Sequence, residues 1–313
     1  MKNERVQGHA AVLLANVIFG LAVPMSNFLL KPASGADGNA WLQPMGYIAT
    51  RCFFAAIIFW VIQCFLPKEK VERKDLIVII LGGVMGFAVS QSFAAWSLYF
   101  GSPVYFSFVG ALCPIAVMLA AWPLLGERIT GIKTVGVVVG IVGALLMVYQ
   151  SAAGVSLEGS NNLLGVIFAL LSLVTWVCFL IVTRKVSAKY SATTQMKWTF
   201  LASAIIMVPL AAMVEGVPTL YTSACTWEAA GSAAFVVLLA TVLGYFMIPF
   251  AMKRINATTV STYTNLQPVV ASIVAFSIGQ DILTWDKPVA GFLVLLSAYL
   301  VPIEPKTHPP HQY

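Results

Sequence analysis

The chain has 313 residues, of which 59% are hydrophobic and only 10% charged, with a formal net charge of +6. Soluble domains carry about 25% charged residues, so an ordinary soluble enzyme is excluded, and the positive balance follows from where the bases fall rather than from a nucleic-acid partner. Five cysteines are scattered, Cys52, Cys64, Cys113 and Cys178 inside apolar runs and Cys225 in a loop, with neither metal-ligand spacing nor a disulfide framework.

Lys2 and Arg5 precede an apolar run from about His9 to Leu30, long enough for the roughly 20 residues that a membrane-spanning helix needs. It reads as a retained first helix, because Met25-Ser26-Asn27 leads into more apolar chain instead of a cleavage site. Nine further runs follow, which places the predicted spans at 8–30, 44–66, 75–98, 103–125, 131–150, 162–183, 193–214, 228–251, 256–278 and 287–303. Only helices or closed barrels satisfy their backbone in lipid, and these runs lack a period of two, so all ten are predicted helical. The segment 151–161 links a first five-helix unit, residues 1–150, to a second, 162–303, ahead of a cytoplasmic tail at 304–313.

The two units repeat one another. Leu112-Cys113-Pro114 is answered by Leu266-Gln267-Pro268, and Gly126-Glu127-Arg128-Ile129-Thr130 by Gln280-Asp281-Ile282-Leu283-Thr284, a constant shift of 154 positions that also carries Ser107 onto Ser261 and Lys133 onto Lys287. An odd number of spans per copy inverts the second copy relative to the first, as in many secondary transporters. Bases set the orientation, because Lys and Arg collect on the cytoplasmic side. With both termini inside, fourteen of the 18 bases are cytoplasmic and only Lys31 and Lys287 are outside; Arg51 and Lys197 lie within spans.

Within the spans, chemistry is sparse. No Asp, Glu or His lies deep in any of them, since Asp75, Glu127, Glu215, Glu228, Asp281 and Asp286 sit at ends or loops and His9 at the start of the first helix. A buried carboxylate proton relay is therefore not expected, and there is no Ser/His/Asp set, phosphate-cradling loop or HExxH helix to make a membrane enzyme. Arg51 lies about 10 Å into the second span at 1.5 Å per residue. A charge there marks a cavity or pathway by default. It can hold a substrate carboxylate or phosphate bidentately, or instead tie down carbonyls of an interrupted neighbour or reach the outer headgroups. Lys197, near a span start, is expected to snorkel to the interface.

Pro114 and Pro268 hold equivalent places in the fourth and ninth spans, where each removes a backbone donor, and paired interruptions point to a transporter's central site. Around them stand Tyr105, Ser107 and Cys113 in one copy and Tyr263, Thr264, Asn265 and Gln267 in the other. Gln91 and Tyr245 are equivalent under the same shift. These polar groups read equally as cavity lining or as interhelical hydrogen bonding. Gly82 with Gly86, and Gly136, Gly140 and Gly143, form small-residue faces for close helix approach. Trp41, Trp227 and Trp285 fall at outer span ends, where indole prefers the interface; Phe19, Trp96 and Trp176 fall inside spans, as core or as cavity wall.

The chain resembles the EamA branch of the drug/metabolite transporter superfamily along almost its full length. The resemblance is carried by Pro114 followed by Leu125-Gly126-Glu127-Arg128-Ile129-Thr130, by Arg51-Cys52-Phe53-Phe54-Ala55-Ala56, by Ala169-Leu170-Leu171 leading to Trp176, and by Asn16-Val17-Ile18-Phe19-Gly20. It implies ten helices in two inverted five-helix repeats, with a central cavity lined by the first, third, fourth, sixth, eighth and ninth helices and the fifth and tenth as support. Phe19 departs from the family's frequent Trp, and Gln280-Asp281 from its Gly-Glu. The Lys-rich phosphate sites of the triose-phosphate branch have no counterpart beyond Arg51, which argues against sugar-phosphate or nucleotide-sugar exchange.

The expectation is thus an all-α inner-membrane carrier, exporting amino acids or related amphiphiles by alternating access. Arg51, Gln91, Tyr105, Trp176, Tyr245, Tyr263, Asn265 and Gln267 are its candidate substrate contacts. Its partners are a small-molecule substrate and the bilayer, with no cofactor, metal or nucleic acid, and monomer or homodimer left open. The competing expectation is a helical receptor or assembly subunit in which Arg51, Tyr105 and Gln267 are fully satisfied by neighbours and no cavity exists.

Overall fold

A computed structural model describes residues 2–30, 40–67, 69–100, 112–125, 131–153, 162–222 and 225–277, together with positions 106, 109, 110, 289, 292, 293, 296, 297 and 300. Among the described residues every regular element is helical. In chain order these are α1 (Lys2–Leu30), α2 (Pro44–Cys64), α3 (Arg73–Phe100), α4 (Cys113–Leu125), α5 (Gly131–Ala153), α6 (Asn162–Lys189), α7 (Ala192–Val214), α8 (Trp227–Met252), α9 (Ala257–Thr262) and α10 (Leu266–Ser277). Six of them, α1, α2, α3, α6, α7 and α8, are long and apolar enough to cross a membrane. Helices α9 and α10 together occupy the predicted ninth span. The predicted tenth span lies outside the described residues apart from isolated helical positions, as do residues 154–161 of the predicted linker, while its first three residues continue α5.

Helices α3 and α8 are not regular. Residues Val84–Val89 and Val236–Gly244 are wound as π-helix, a rare i→i+5 pattern that occurs mostly as local bulges at functional sites. Shifted by 154, the first π segment falls on 238–243, inside the second. Gln91 and Tyr245 stand just beyond them.

The paired prolines act differently from the sequence expectation. Pro114 is the second residue of α4 and Pro268 the third of α10, positions where the missing N–H has no intrahelical partner to lose. The breaks come before them: Leu112 N–H bonds Val109 C=O at 3.0 Å, a tight i−3 turn, and Tyr263–Asn265 forms a 3-10 turn between α9 and α10. Each proline opens a new helix after the interruption.

An aromatic knot joins α2, α3, α6, α7 and α8. Phe59 of α2 stacks on Phe200 of α7 at 5.6 Å, and Phe87, inside the first π segment, meets Phe200 at 4.8 Å, Phe179 of α6 at 5.3 Å and Tyr245 of α8 at 4.5 Å. Two glycines on one face of α3 admit α6: a Cβ at Gly82 would come within 2.6 Å of Thr183, and one at Gly86 within 2.5 Å of the Phe179 ring. Beyond the knot, Lys189 pairs with Glu72 and Asp75 at 2.7 Å each, Tyr190 donates to Asp75 at 2.7 Å, and Ser191 donates through Oγ and N–H to Glu69. These exposed contacts register Glu69, Glu72 and the start of α3 against the turn at 189–191. Hydrogen bonds from Thr194 and Ser191 outweigh burial and hold Glu69 below the usual carboxylate range.

Lys197 does not snorkel outward. It is buried, 5.5 Å from the Trp60 ring and 5.6 Å from Trp198. Trp41 is likewise buried, with Nε1 lacking a hydrogen-bond partner, whereas Trp227 is 93% exposed as an interfacial indole should be.

At the opposite end the 215–222 segment grips the start of α2. The Glu215 carboxylate accepts from Met45 N–H at 3.0 Å and Gly46 N–H at 2.7 Å, capping orphan donors of the first turn. Tyr221 meets Thr50 at 2.7 Å; because Thr50 already donates to Gly46 C=O, the phenol is the donor. Replacing Glu215 with Ala is expected to remove about 1–2 kcal/mol, the cost of a lost charged cap, read as a lower unfolding temperature in detergent. Gly86→Leu is expected to cost about 1–3 kcal/mol by overpacking against Phe179, so its unfolding temperature falls while Ala at exposed Gly231 leaves it within about 0.5 kcal/mol of wild type.

Candidate cavity site

A cavity of about 230 Å³ lies beside the aromatic knot. Its lining comes from the predicted first, third, fourth, sixth, eighth and ninth spans, the set the family resemblance implies, and also from the second through Tyr47 and Arg51. Of the candidate contacts, Arg51, Gln91, Trp176, Tyr245, Asn265 and Gln267 face it together. Tyr263 does not line it: its hydroxyl meets His9 Nδ1 at 3.0 Å, stitching the start of α1 to the break before α10. Tyr105 lies outside the described residues.

Arg51 is the cavity's cation, only 7% exposed. Its Nε donates to Thr241 Oγ1 at 2.8 Å and its Nη1 to Gln91 Oε1 at 3.4 Å, while the Tyr47 and Tyr245 rings lie 5.0 and 5.5 Å from Cζ. Among the described residues no carboxylate lies within ion-pair distance of it, and none lines the cavity. Cation–π contacts contribute about 2 kcal/mol or more where water is excluded, and the two hydrogen bonds add to them. That arrangement places a positive charge at an otherwise neutral, largely apolar space.

The remaining polar groups are mostly committed. Gln267 Nε2 donates to Asn16 Oδ1 at 2.8 Å, and Asn16 Nδ2 to Val12 C=O at 2.8 Å. Ser26 donates to Ala22 C=O, so the Tyr47 hydroxyl, 2.7 Å away, donates to Ser26. Ser90 ties α3 to α6 through Ser172 C=O at 2.9 Å. Asn265 differs: it is 2% exposed and neither amide atom has a partner, although such groups in a protein interior are nearly always bonded. It packs against Gly140 and Ser297, so the glycine face of α5 serves close approach.

Sequence reasoning missed Tyr47 and Thr241. Thr241 could have been noticed as a polar residue in the apolar run 233–243; Tyr47 carried no such signal, since a Tyr near a span end reads as an interfacial anchor.

Comparison with known proteins agrees with this architecture. The sequence profile of the EamA-like transporter family matches residues 6–149 and again 163–302. The chain therefore belongs to the EamA-like transporter family. It is similar to the Bacillus subtilis transporter YyaM, 23% identical over 263 residues that cover 82% of this chain and 83% of that one. A probable terminal-alkyne amino-acid exporter of Streptantibioticus cattleyicolor is 25% identical and an S-adenosylmethionine uptake transporter of Rickettsia bellii 21%, each over 74% of both chains. A crystal structure superposes with a TM-score of 0.74, covering 96% of this chain and 98% of its own at 17% identity, a likeness of fold. The protein is a membrane-embedded, multi-span chain of a transporter family.

If the cavity is wetted, a cysteine at Gln91, in a background with the native thiols replaced, is expected to react with a small water-soluble thiol reagent. A cysteine at Phe59, sealed in the knot at 1% exposure, is expected to stay unmodified under the same conditions, as read by mass shift.

Proposed function

We propose that the protein is a secondary transporter of small organic metabolites, exporting amino acids or related amphiphilic solutes across the inner membrane by alternating access. The two inverted five-helix repeats of this reading are supported by the double match to the family, by π turns at corresponding places in α3 and α8, and by helix breaks ahead of both Pro114 and Pro268. The observation that carries the reading is the cavity itself. A receptor or assembly subunit has no use for a buried cation that lines a cavity with no carboxylate among the described lining residues, and a solute carboxylate would supply the counter-charge. Tyr47, Trp176 and Tyr245 would flank its apolar body, with Gln91, Asn265 and Gln267 as polar contacts.

With both termini cytoplasmic in this reading, the Phe59–Phe87–Phe179–Phe200 knot and the Lys189 ion pairs would lie on the cytoplasmic side of the cavity. In the absence of a carboxylate among its lining residues, exchange or facilitated diffusion is favoured over proton coupling. The substrates named for relatives differ in kind and direction, amino-acid export in one and S-adenosylmethionine uptake in another, so the chemistry of the cavity weighs more than any single likeness.

Reconstituted proteoliposomes loaded with an amino-acid panel test this. Wild-type protein is expected to release labelled solute against an unlabelled gradient with no pH gradient imposed. Arg51→Gln is expected to weaken apparent affinity for carboxylate solutes on the order of tenfold to a hundredfold, the range for losing hydrogen bonds to a charged group at about 1.5–3 kcal/mol. Strict dependence on an inward proton gradient would remove the uncoupled cycle, and unchanged affinity in Arg51→Gln would remove the carboxylate contact.

A further inference from the structure

The guanidinium of Arg51 is held in one orientation by a residue that does not line the cavity. Thr241 is 1% exposed within the π segment of α8. Its Oγ1 accepts from Arg51 Nε at 2.8 Å and donates to Val236 C=O, five residues back, at 2.8 Å. Arginine has donors only, so the hydroxyl must accept from it and its single proton needs another acceptor. In a regular helix a threonine turns to the carbonyl three or four residues back; here the π winding offers the one five residues back. With both bonds made, Oγ1 is fixed, and so is Nε.

Because the guanidinium is planar, fixing Nε constrains the direction of the Nη edge, on a side chain that lines the cavity with its Cζ 5.0 and 5.5 Å from the Tyr47 and Tyr245 rings. On that edge Gln91 Oε1 stands at 3.4 Å, a long hydrogen bond, while a carboxylate oxygen makes charge-assisted bonds of about 2.7–2.9 Å. An anion can therefore take the edge from Gln91 without disturbing Thr241.

We propose that Thr241 is the positioning residue for Arg51, through which the π turn of α8 sets the cavity's preference for carboxylates over neutral solutes. The proposal rests on Arg51 being the anion contact. Its test uses the full-length protein in lipid nanodiscs and two probes of equal shape, 3-phenylpropanoate and its uncharged amide, with affinities compared as a ratio. Wild type and Thr241→Ser are expected to prefer the carboxylate. Thr241→Val, which keeps volume and removes the acceptor, is expected to lose about tenfold of that preference while binding the amide as wild type does. Thr241→Ala, judged by the same ratio, stands in if the valine variant fails to fold. A merely structural role would weaken both probes together and leave the ratio intact, which overturns the proposal. If Thr241→Val keeps the preference and Arg51→Gln loses it, Thr241 has no such role and Arg51 remains the anion contact. If wild type shows no preference, the anion reading fails and the proposal with it.

Discussion

The structure depends on how one guanidinium is kept inside a membrane bundle. A charged side chain at the centre of a spanning helix costs several kcal/mol in lipid, and Arg51 meets that cost without a carboxylate among the described residues. It does so with Thr241, Gln91 and two tyrosine rings, drawn from α2, α3 and α8. Three helices must converge at that depth for the charge to be tolerated. The Glu215 cap at the other end of the arrangement holds the first turn of α2, and so the height at which Arg51 enters.

Irregular backbone gathers around the same point. Lipid-facing chain must satisfy its own hydrogen bonds, so unwound or bulged segments survive only where protein or a cavity borders them. Both π segments and the 3-10 turn before α10 meet that condition, and each sits next to cavity-lining residues: Ser90 and Gln91, Ala240 and Tyr245, Asn265 and Gln267. The repeated sequence thus yields paired irregularities, but not equal chemistry, since Gln91 bonds the arginine while its repeat mate Tyr245 supplies a ring face.

Much of the fold was legible because its determinants are local. Apolar length and the lack of a period of two dictate helices, and six of the ten predicted spans coincide closely with long apolar helices. The cavity set was partly legible for the same reason: Arg51, Gln91, Trp176, Tyr245, Asn265 and Gln267 are polar or aromatic residues out of keeping with the runs that contain them. Where the expectation departed from the structure, a long-range contact intervened. Lys197 snorkels only if nothing nearby can cover it, and Trp60 and Trp198 cover it. Tyr263 looked like cavity lining until His9, 254 positions earlier, claimed its hydroxyl. Pro114 and Pro268 correspond under the shift of 154, yet whether a proline kinks a helix or opens one depends on the turn before it.

By itself the sequence determined the class of the protein: composition, span length and a shift of 154 positions define a duplicated helical membrane chain, because the bilayer converts hydropathy directly into topology. It also placed every Asp and Glu at the ends of the predicted spans or in loops. Only the tertiary structure decided that α2 contributes to the cavity, that an aromatic knot joins the helices beside it, that Tyr47 lines it and that Thr241 bonds Arg51 from behind it. Those facts depend on which helix faces turn toward one another, and that is set by packing at Gly82 and Gly86 and by the π turns. The glycine spacing marks a close-packing face in the sequence, but not which helix it meets, and the π turns leave no local signal.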